Sequence, residues 1–424
     1  MSGRLLAKAI GVNEDQISRG SPFFVVYLLL FSALTIGDAA SVTLFTSRVG
    51  AEGLPVWYAL TALGSLLLIG GYLTQVSKIH SGQMFFYILA ATSGIWLIVW
   101  TVHSQVGTFA YGVLFVSREI ALTMVLMHFG TFLQDYFTRA ELNRILPAIY
   151  AGGRCGGIAG GFAVTMLSQR IGVLHLILLA IALLGGAAVA IGWIVRHAPK
   201  GDEPEPPREI AALQETATPW HAVRRFLQQV VHVPLLYWLT WTTLLFVLCR
   251  WMLMYQYTAG FEAYFANENA LARFLGIYTQ AALSISLLLQ LFIVPRLVTR
   301  LGVAKSHFIY MTSVLFCLLS NLWTGGVVTA TASRFVEAEL RFGLRNPLNQ
   351  MLVNRFPKKQ RIAVRGWSLG WLIPCGTLLA SGLITGLQVV GGPQAIAWAG
   401  CCGGALLVVA GWKVGRAYNR YEAD

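Results

Sequence analysis

Charge is scarce in this chain. Asp, Glu, Lys and Arg make up only 12% of its 424 residues, about half the share of an average soluble domain, which argues against a water-soluble fold. Lysine is missing from every apolar run. The six cysteines (Cys155, Cys249, Cys317, Cys375, Cys401 and Cys402) show neither CxxC nor Cys/His spacing. No disulfide and no metal site is expected, and they read as small packing residues. There is no Walker loop, no nucleophile–base motif and no soluble stretch long enough to house chemistry, so the chain reads as a non-enzyme without a cofactor. His103, His128 and His175 are isolated and read as interfacial or packed histidines. A cleavable signal peptide is not expected either. The first apolar run (Pro22 to Phe45) is too long for one and lacks a small-residue cleavage site.

Hydrophobic residues, by contrast, make up 56% of the chain, and the mean hydropathy is +0.64. A membrane span needs about 20 apolar residues, and such runs fall at 22–46, 54–75, 84–102, 108–133, 146–167 and 173–195, then at 234–260, 274–295, 307–322, 324–340, 368–389 and 394–412. The expected fold is an all-α polytopic membrane protein with 12 transmembrane helices in two six-helix bundles, 22–195 and 234–412. Residues 1–21 form a cytoplasmic N-terminal segment and 413–424 a cytoplasmic tail. The stretch 196–233 is a cytoplasmic linker, rich in Pro and Glu at its start, with an amphipathic helix near Trp220 to Val231.

The net charge of +13 could suggest a nucleic-acid partner, but its distribution points elsewhere. With the N-terminus inside, the outer loops carry only Arg48, Arg170 and Arg273. Lys78, Arg139, Arg196, Arg300, Lys305, Arg341, Arg345, Arg355 and Arg416, among many others, fall on the inner face. This is the positive-inside pattern of an even number of spans; it places both termini in the cytoplasm and leaves no role for nucleic acid. Trp57, Trp100, Trp238, Trp241, Trp323 and Trp412 sit near span ends, as interfacial aromatics do.

The halves repeat. When LQDYFTRAELNR (133–144) is laid on LVNRFPKKQRIA (352–363), Phe137 meets Phe356, Arg139 meets Lys358 and Glu141 meets Gln360. Two parallel six-helix halves are thereby expected to be pseudo-symmetric.

Ionisable groups inside the runs are costly and usually functional. They are Asp38 in the first, Arg118 and Glu119 in the fourth, Arg154 in the fifth, Arg250 in the seventh, and Arg334, Glu337 and Glu339 in the tenth. At about 1.5 Å of rise per residue, Asp38 and Arg250 each lie roughly 24 Å along outward-running helices. Arg118 and Glu337 are equivalent under the repeat. The sequence therefore suggests the pairs Asp38–Arg250 and Arg118–Glu337, with Glu119 and Arg334 beside them. Two readings stand side by side. The charges neutralise one another structurally, or they form a bistable set that a solute or proton breaks.

Arginine without lysine favours an anionic ligand, since its planar fork matches carboxylate and phosphate oxygens. Asp38, Glu119 and Glu337 are candidates for carrying a proton. Gln256 is a further polar group in a span, a candidate ligand or helix contact. On the fifth run Gly152, Gly156 and Gly160 form a four-residue ladder beside a second one, Gly153, Gly157 and Gly161. Such ladders let helices approach closely or serve as a hinge, and Arg154 belongs to the same packing or gating face.

The run GGRCGGIAGG (152–161) resembles the fifth-helix antiporter motif of the major facilitator superfamily, with Gly157 where that motif has proline. Arg118 is similar to the superfamily's fourth-helix arginine, without the glycine that follows it there. GGYLTQVSKIH (70–80) resembles its second-to-third loop motif, without the aspartate and the Arg run. FLQDYFTRAELNRILPAIYAGGRCGGIAGG (132–161), MYQYTAGFEAYFANENALARFLGIYTQAALSISLLLQ (254–290) and RFVEAELRFGLRNPLNQMLVNRFPKKQR (334–361) resemble the bacterial and plastid nucleotide transporter family, the ATP/ADP translocase-like branch. The resemblance implies that the first, fourth, seventh and tenth helices line a central cavity, and all the ionisable span residues except Arg154 fall on these four. It further implies exchange of nucleotides or other phosphorylated metabolites.

The expected function is secondary active transport, by alternating access, of an organic anion such as a nucleotide, phosphorylated metabolite or carboxylate, by proton coupling or exchange. Movement of a siderophore-like or amphipathic compound and a non-transporting scaffold or lipid flippase are the alternatives. The expected partners are a small anionic solute, protons and the bilayer. The expected state is a monomer in the plasma membrane, which is the inner membrane if the source is bacterial.

Overall fold

The computed structural model describes residues 14–76, 78–199, 230–356, 361 and 364–423, and every regular element among them is helical. Helices follow from the composition, because a backbone in hydrocarbon must satisfy its own N–H and C=O groups. In chain order they are α1 (Glu14–Arg48), α2 (Leu54–Gln75), α3 (Ser81–Val106), α4 (Thr108–Gln134), α5 (Arg139–Ile171) and α6 (Leu176–His197), then α7 (Pro234–Tyr264), α8 (Glu268–Leu288), α9 (Val294–Trp323), α10 (Gly326–Phe335), α11 (Asn346–Val353) and α12 (Ile373–Ala423). Three stretches wind as π-helix, Leu289–Ile293, Val336–Arg345 and Trp367–Leu372. Residues 1–13 of the N-terminal segment and 200–229 of the linker, with most of its expected amphipathic helix, lie outside the described residues.

Eight stretches of the described chain are long and apolar enough to cross a bilayer. The chain is an integral, multi-pass membrane protein. Two of the eight, Glu268–Trp323 and Val364–Arg420, run to 56 and 57 residues, more than twice the roughly 20 that one crossing needs. Each breaks at a glycine with positive φ, Gly302 (78°) in the first and Gly392 (61°) in the second. Both breaks fall where the apolar runs of the sequence are interrupted, and only glycine adopts such a backbone at no steric cost.

The helices group into two compact units, Met1–Val49 with Leu67–Pro206 and Phe265–Ser284, and Gly50–Leu66 with Pro207–Tyr264 and Ile285–Asp424. Lipid tails supply no hydrophobic drive between helices, so close packing of small residues has to hold them together. In the first unit α1 lies along α5 through the glycine ladder. A Cβ at Gly152 would stand 2.6 Å from the Phe24 carbonyl oxygen, one at Gly160 would stand 2.8 Å from that of Ser32, and one at Gly156 would collide with the Leu28 backbone. Ser32 Oγ, buried in the contact, donates to the Gly156 carbonyl at 2.9 Å. The second ladder faces Tyr27 at Gly153 and the Phe265–Ser284 segment at Gly161, where Gln280 Nε2 donates to Thr165 Oγ1 at 2.8 Å.

At the start of α5, Thr138 and Glu141 cap each other reciprocally. Arg19 on α1 reaches across to Glu141 at 3.0 Å and lies over the Phe137 ring. This ties the first helix to the charged turn between α4 and α5.

In the second unit α7 packs along α12 and α10. Trp251 donates to Thr377 at 2.9 Å and meets Tyr58 at a ring separation of 4.1 Å. The Ala51 N–H donates to the Glu262 carboxylate at 2.7 Å, and Ser381 Oγ to the Pro55 carbonyl at 2.6 Å. These contacts fasten the Gly50–Leu66 segment to the rest of the unit.

Two outcomes are expected. Gly156→Leu forces side-chain atoms into the α1 backbone, an overpacking cost of roughly 1–3 kcal/mol or more, and should lower both the melting temperature and the yield of monodisperse protein. The Thr138 backbone N–H, and then the Arg19 guanidinium, hold the Glu141 carboxyl below its usual range. A carboxyl depressed on folding stabilises above its unfolded value and loses that contribution as pH falls through its folded value. Glu141→Ala should therefore melt below the parent at pH 7, and the gap should close below about pH 4.

Candidate functional site

Each unit holds a cluster of buried charge. In the first, α1 supplies Asp38 and α4 supplies Arg118 and Glu119. Arg118, with only 7% of its side chain exposed, bonds Asp38 through one terminal nitrogen and reaches Glu119 at 3.2 Å through the other. Its guanidinium lies 5.1 Å from the Phe115 ring. Trp96 lies over Gly37, the residue before Asp38, and donates to Ser117, the residue before Arg118, at 3.1 Å. The indole so fixes the two backbones that present the pair.

In the second unit Arg250 Nε on α7 donates to Glu337 Oε1 at 2.6 Å. Arg341 Nη2 approaches the same oxygen at 3.5 Å, and its Nε donates to the Glu337 carbonyl at 2.8 Å. Arg334 is buried and lies 5.8 Å from the Tyr257 ring, while Arg250 lies 4.6 Å from that of Trp251. Glu337 and Arg341 both lie in the π-helical stretch Val336–Arg345. Such irregular turns recur at functional sites in helices.

The sequence reading drew its pairs between the two halves from depth. The pairs inside the units join Asp38 to Arg118 and Arg250 to Glu337. Arg341, expected on the basic inner face, shares Glu337 with Arg250, and Arg345, expected there too, is 6% exposed. Residues four apart fall nearly one turn apart on a helix, so Glu337, Arg341 and Arg345 share a face. That spacing was available in the sequence. The drop in hydropathy after Leu340 masks it.

The other expected residues lie elsewhere. The Gln256 side chain rests against Gly400 on α12, and its amide makes no hydrogen bond among the described residues. Arg154 is half-buried on α5, within electrostatic reach of the Tyr27 phenol. Gly152, Gly156 and Gly160 form the α1 contact described above. His128 is fully buried in a polar chain. Its Nε2 lies 2.7 Å from the Ser81 carbonyl, an acceptor only, so Nε2 carries the proton and Nδ1 accepts from Tyr72 Oη at 3.0 Å. Ser81 Oγ in turn donates to Asp135.

Solved structures with this arrangement of helices are known. A mutant form of the nucleoside transporter NupG superposes with a TM-score of 0.63 at 14% identity, covering 93% of this chain and 99% of its own. The fold is that of the major facilitator transporters. A bacterial homologue of the iron transporter ferroportin, in its inward-facing state, matches with a TM-score of 0.63 at 13% identity over 94% of this chain and 99% of that one. An auto-inhibited POT family peptide transporter matches with 0.64 at 11% identity over 96% and 97%. No protein-family model and no curated protein matches the sequence. At these identities the facilitator fold is shared and the site residues are this chain's own.

Removing Arg118 leaves Asp38 and Glu119 together without their cation, which costs about 3–5 kcal/mol for a buried pair. Arg118→Met should therefore lose stability heavily. The double variant Arg118→Met/Asp38→Asn should recover a large part of the loss, as read by thermal unfolding of the detergent-solubilised protein.

Proposed function

We propose that this chain is a secondary transporter moving a small organic anion, such as a nucleotide, phosphorylated metabolite or carboxylate, by alternating access with proton coupling or exchange. In this reading it has 12 spans in two six-helix bundles, 22–195 and 234–412, with both termini in the cytoplasm. The two long stretches broken at Gly302 and Gly392 each count as two crossings. Arg139–Ile171 and the interrupted stretch from Gly326 to Val353 add the crossings whose apolar character is diluted by charge.

One observation carries the proposal: each buried ion pair has a spare partner. Arg118 is shared by Asp38 and Glu119, and Glu337 by Arg250 and Arg341. A buried pair with no third member pays heavily when one side is withdrawn. With a third member, a proton can take a carboxylate, or an anion can take a guanidinium, while the residue left behind stays neutralised. Charges that served only to hold helices together would not need such redundancy. A carrier does, because the solute has to shift an equilibrium between two states by its differential interaction with them. The facilitator fold is consistent with the same reading.

The test is uptake of a panel of radiolabelled anions into proteoliposomes. Arg250→Ala and Asp38→Asn should each abolish uptake of the transported anion while membrane-inserted protein is retained. Full transport by both variants would reject the proposal.

A further inference from the structure

Where α12 leaves its last apolar run, the second unit presents cations that no carboxylate answers. Lys413 and Arg416 make no ion pair and no hydrogen bond among the described residues. The neighbouring Arg355, by contrast, donates to Tyr418 Oη at 3.0 Å. Two indoles hold the unpaired cations in place. The Lys413 ammonium lies 5.8 Å from the Trp238 ring on α7 and 5.4 Å from the Trp412 ring on α12, and the Arg416 guanidinium lies 3.7 Å from the Trp412 ring. A ring face stabilises a cation without consuming its N–H groups, so both side chains keep donors to offer.

A second observation says what they face. Residues three and four apart share one side of a helix, and the side that carries Lys413 and Arg416 continues back through Trp412, Val409 and Leu406. These three are 43%, 52% and 58% exposed. From Leu406 to Arg416 the helix rises about 15 Å, the depth of one leaflet's share of a hydrocarbon core about 30 Å thick. The uncovered face thus runs from an apolar length, through an indole at the level where interfacial tryptophans sit, to two cations just beyond it. That is the profile of an amphiphile with a negative head. In the proposed orientation this end of α12 faces the cytoplasm, where the leaflet carries anionic lipid.

We propose that Trp238, Trp412, Lys413 and Arg416 form a binding site for an anionic phospholipid of the inner leaflet. Its phosphate lies between Lys413 and Arg416, and an acyl chain lies along Val409 and Leu406. The arginine fork and the lysine point charge are the two side chains suited to phosphate oxygens. Because Lys413 also rests near the α7 indole, bound lipid joins the inner ends of α7 and α12. The inference goes beyond the carrier reading. Trp238 stands about 18 Å of helix rise before Arg250 on α7, and no transport step enters the site.

The test follows thermal unfolding of the full-length protein in detergent, at fixed ionic strength, while dioleoyl phosphatidylglycerol is titrated. A saturable rise in Tm is expected, because a ligand that binds only the folded state stabilises it by mass action. Dioleoyl phosphatidylcholine, which has the same tails and no net charge, should give a smaller rise. The double variant Lys413→Gln/Arg416→Gln should raise the half-maximal concentration of phosphatidylglycerol about tenfold. Arg196→Gln, which removes an exposed charge at the inner end of α6, should leave it unchanged. Should the double variant fail to fold, Arg416→Gln alone is expected to raise it about threefold. Equal rises with the two lipids, or a half-maximal concentration that the variants leave unmoved, would overturn the site. A rise given equally by glycerol 1-phosphate, which has no acyl chain, would assign the cations to free phosphate and reject the lipid. Uptake plays no part in these measurements, so the carrier and the lipid site stand or fall separately.

Discussion

A charged side chain among apolar helices needs a counter-charge, and the interior of each unit is arranged around that requirement. Arg118 is held between two carboxylates, and Glu337 between two guanidinium groups. Coulomb attraction strengthens as the surroundings lose water, but desolvation opposes it by a comparable amount. Such clusters therefore add little net stability. What they contribute is sharing: Arg118 has two carboxylate partners and Glu337 two guanidinium partners.

The scaffold around these clusters is held by contact. Glycines on α5 bring it to within backbone distance of α1, and Trp96 over Gly37 sets the backbone beside Asp38. Neither contact depends on charge. The helices are thus held in place without relying on the bonding of Asp38, Arg118 and Glu119. Aromatic rings under the arginines act in the same sense, stabilising a guanidinium whichever anion it bonds.

Much of the architecture was legible from residue order. Apolar run length gave the membrane helices, and glycine at Gly302 and Gly392 broke two long helices where the runs themselves were interrupted. The charged residues stood out because hydrocarbon penalises them. Their partners did not. Rise per residue fixes how deep Asp38 and Arg250 lie, but the direction a side chain faces depends on helix rotation, which hydropathy does not report. Arg345 was hidden for a related reason. Hydropathy ends the tenth run at Leu340, while the helix continues as π-helix through Arg345 and carries it into the unit's interior. The contacts of Phe265–Ser284 and Gly50–Leu66 join segments far apart in the chain, through Gln280–Thr165 and Glu262–Ala51, and no local pattern announces them.

The two clusters differ in sign, and that difference bears on the proposed function. The first has one guanidinium with two carboxylates, a formal excess of negative charge. The second holds more guanidinium groups than carboxylates, a formal excess of positive charge. Had both clusters been balanced, neither proton nor solute would have had an electrostatic reason to bind. Had both been surplus in the same sign, a single charged species would have satisfied both. Under the proposed reading, a carrier that couples an anion to protons has to recognise opposite charges separately, and the two excesses lie in separate units.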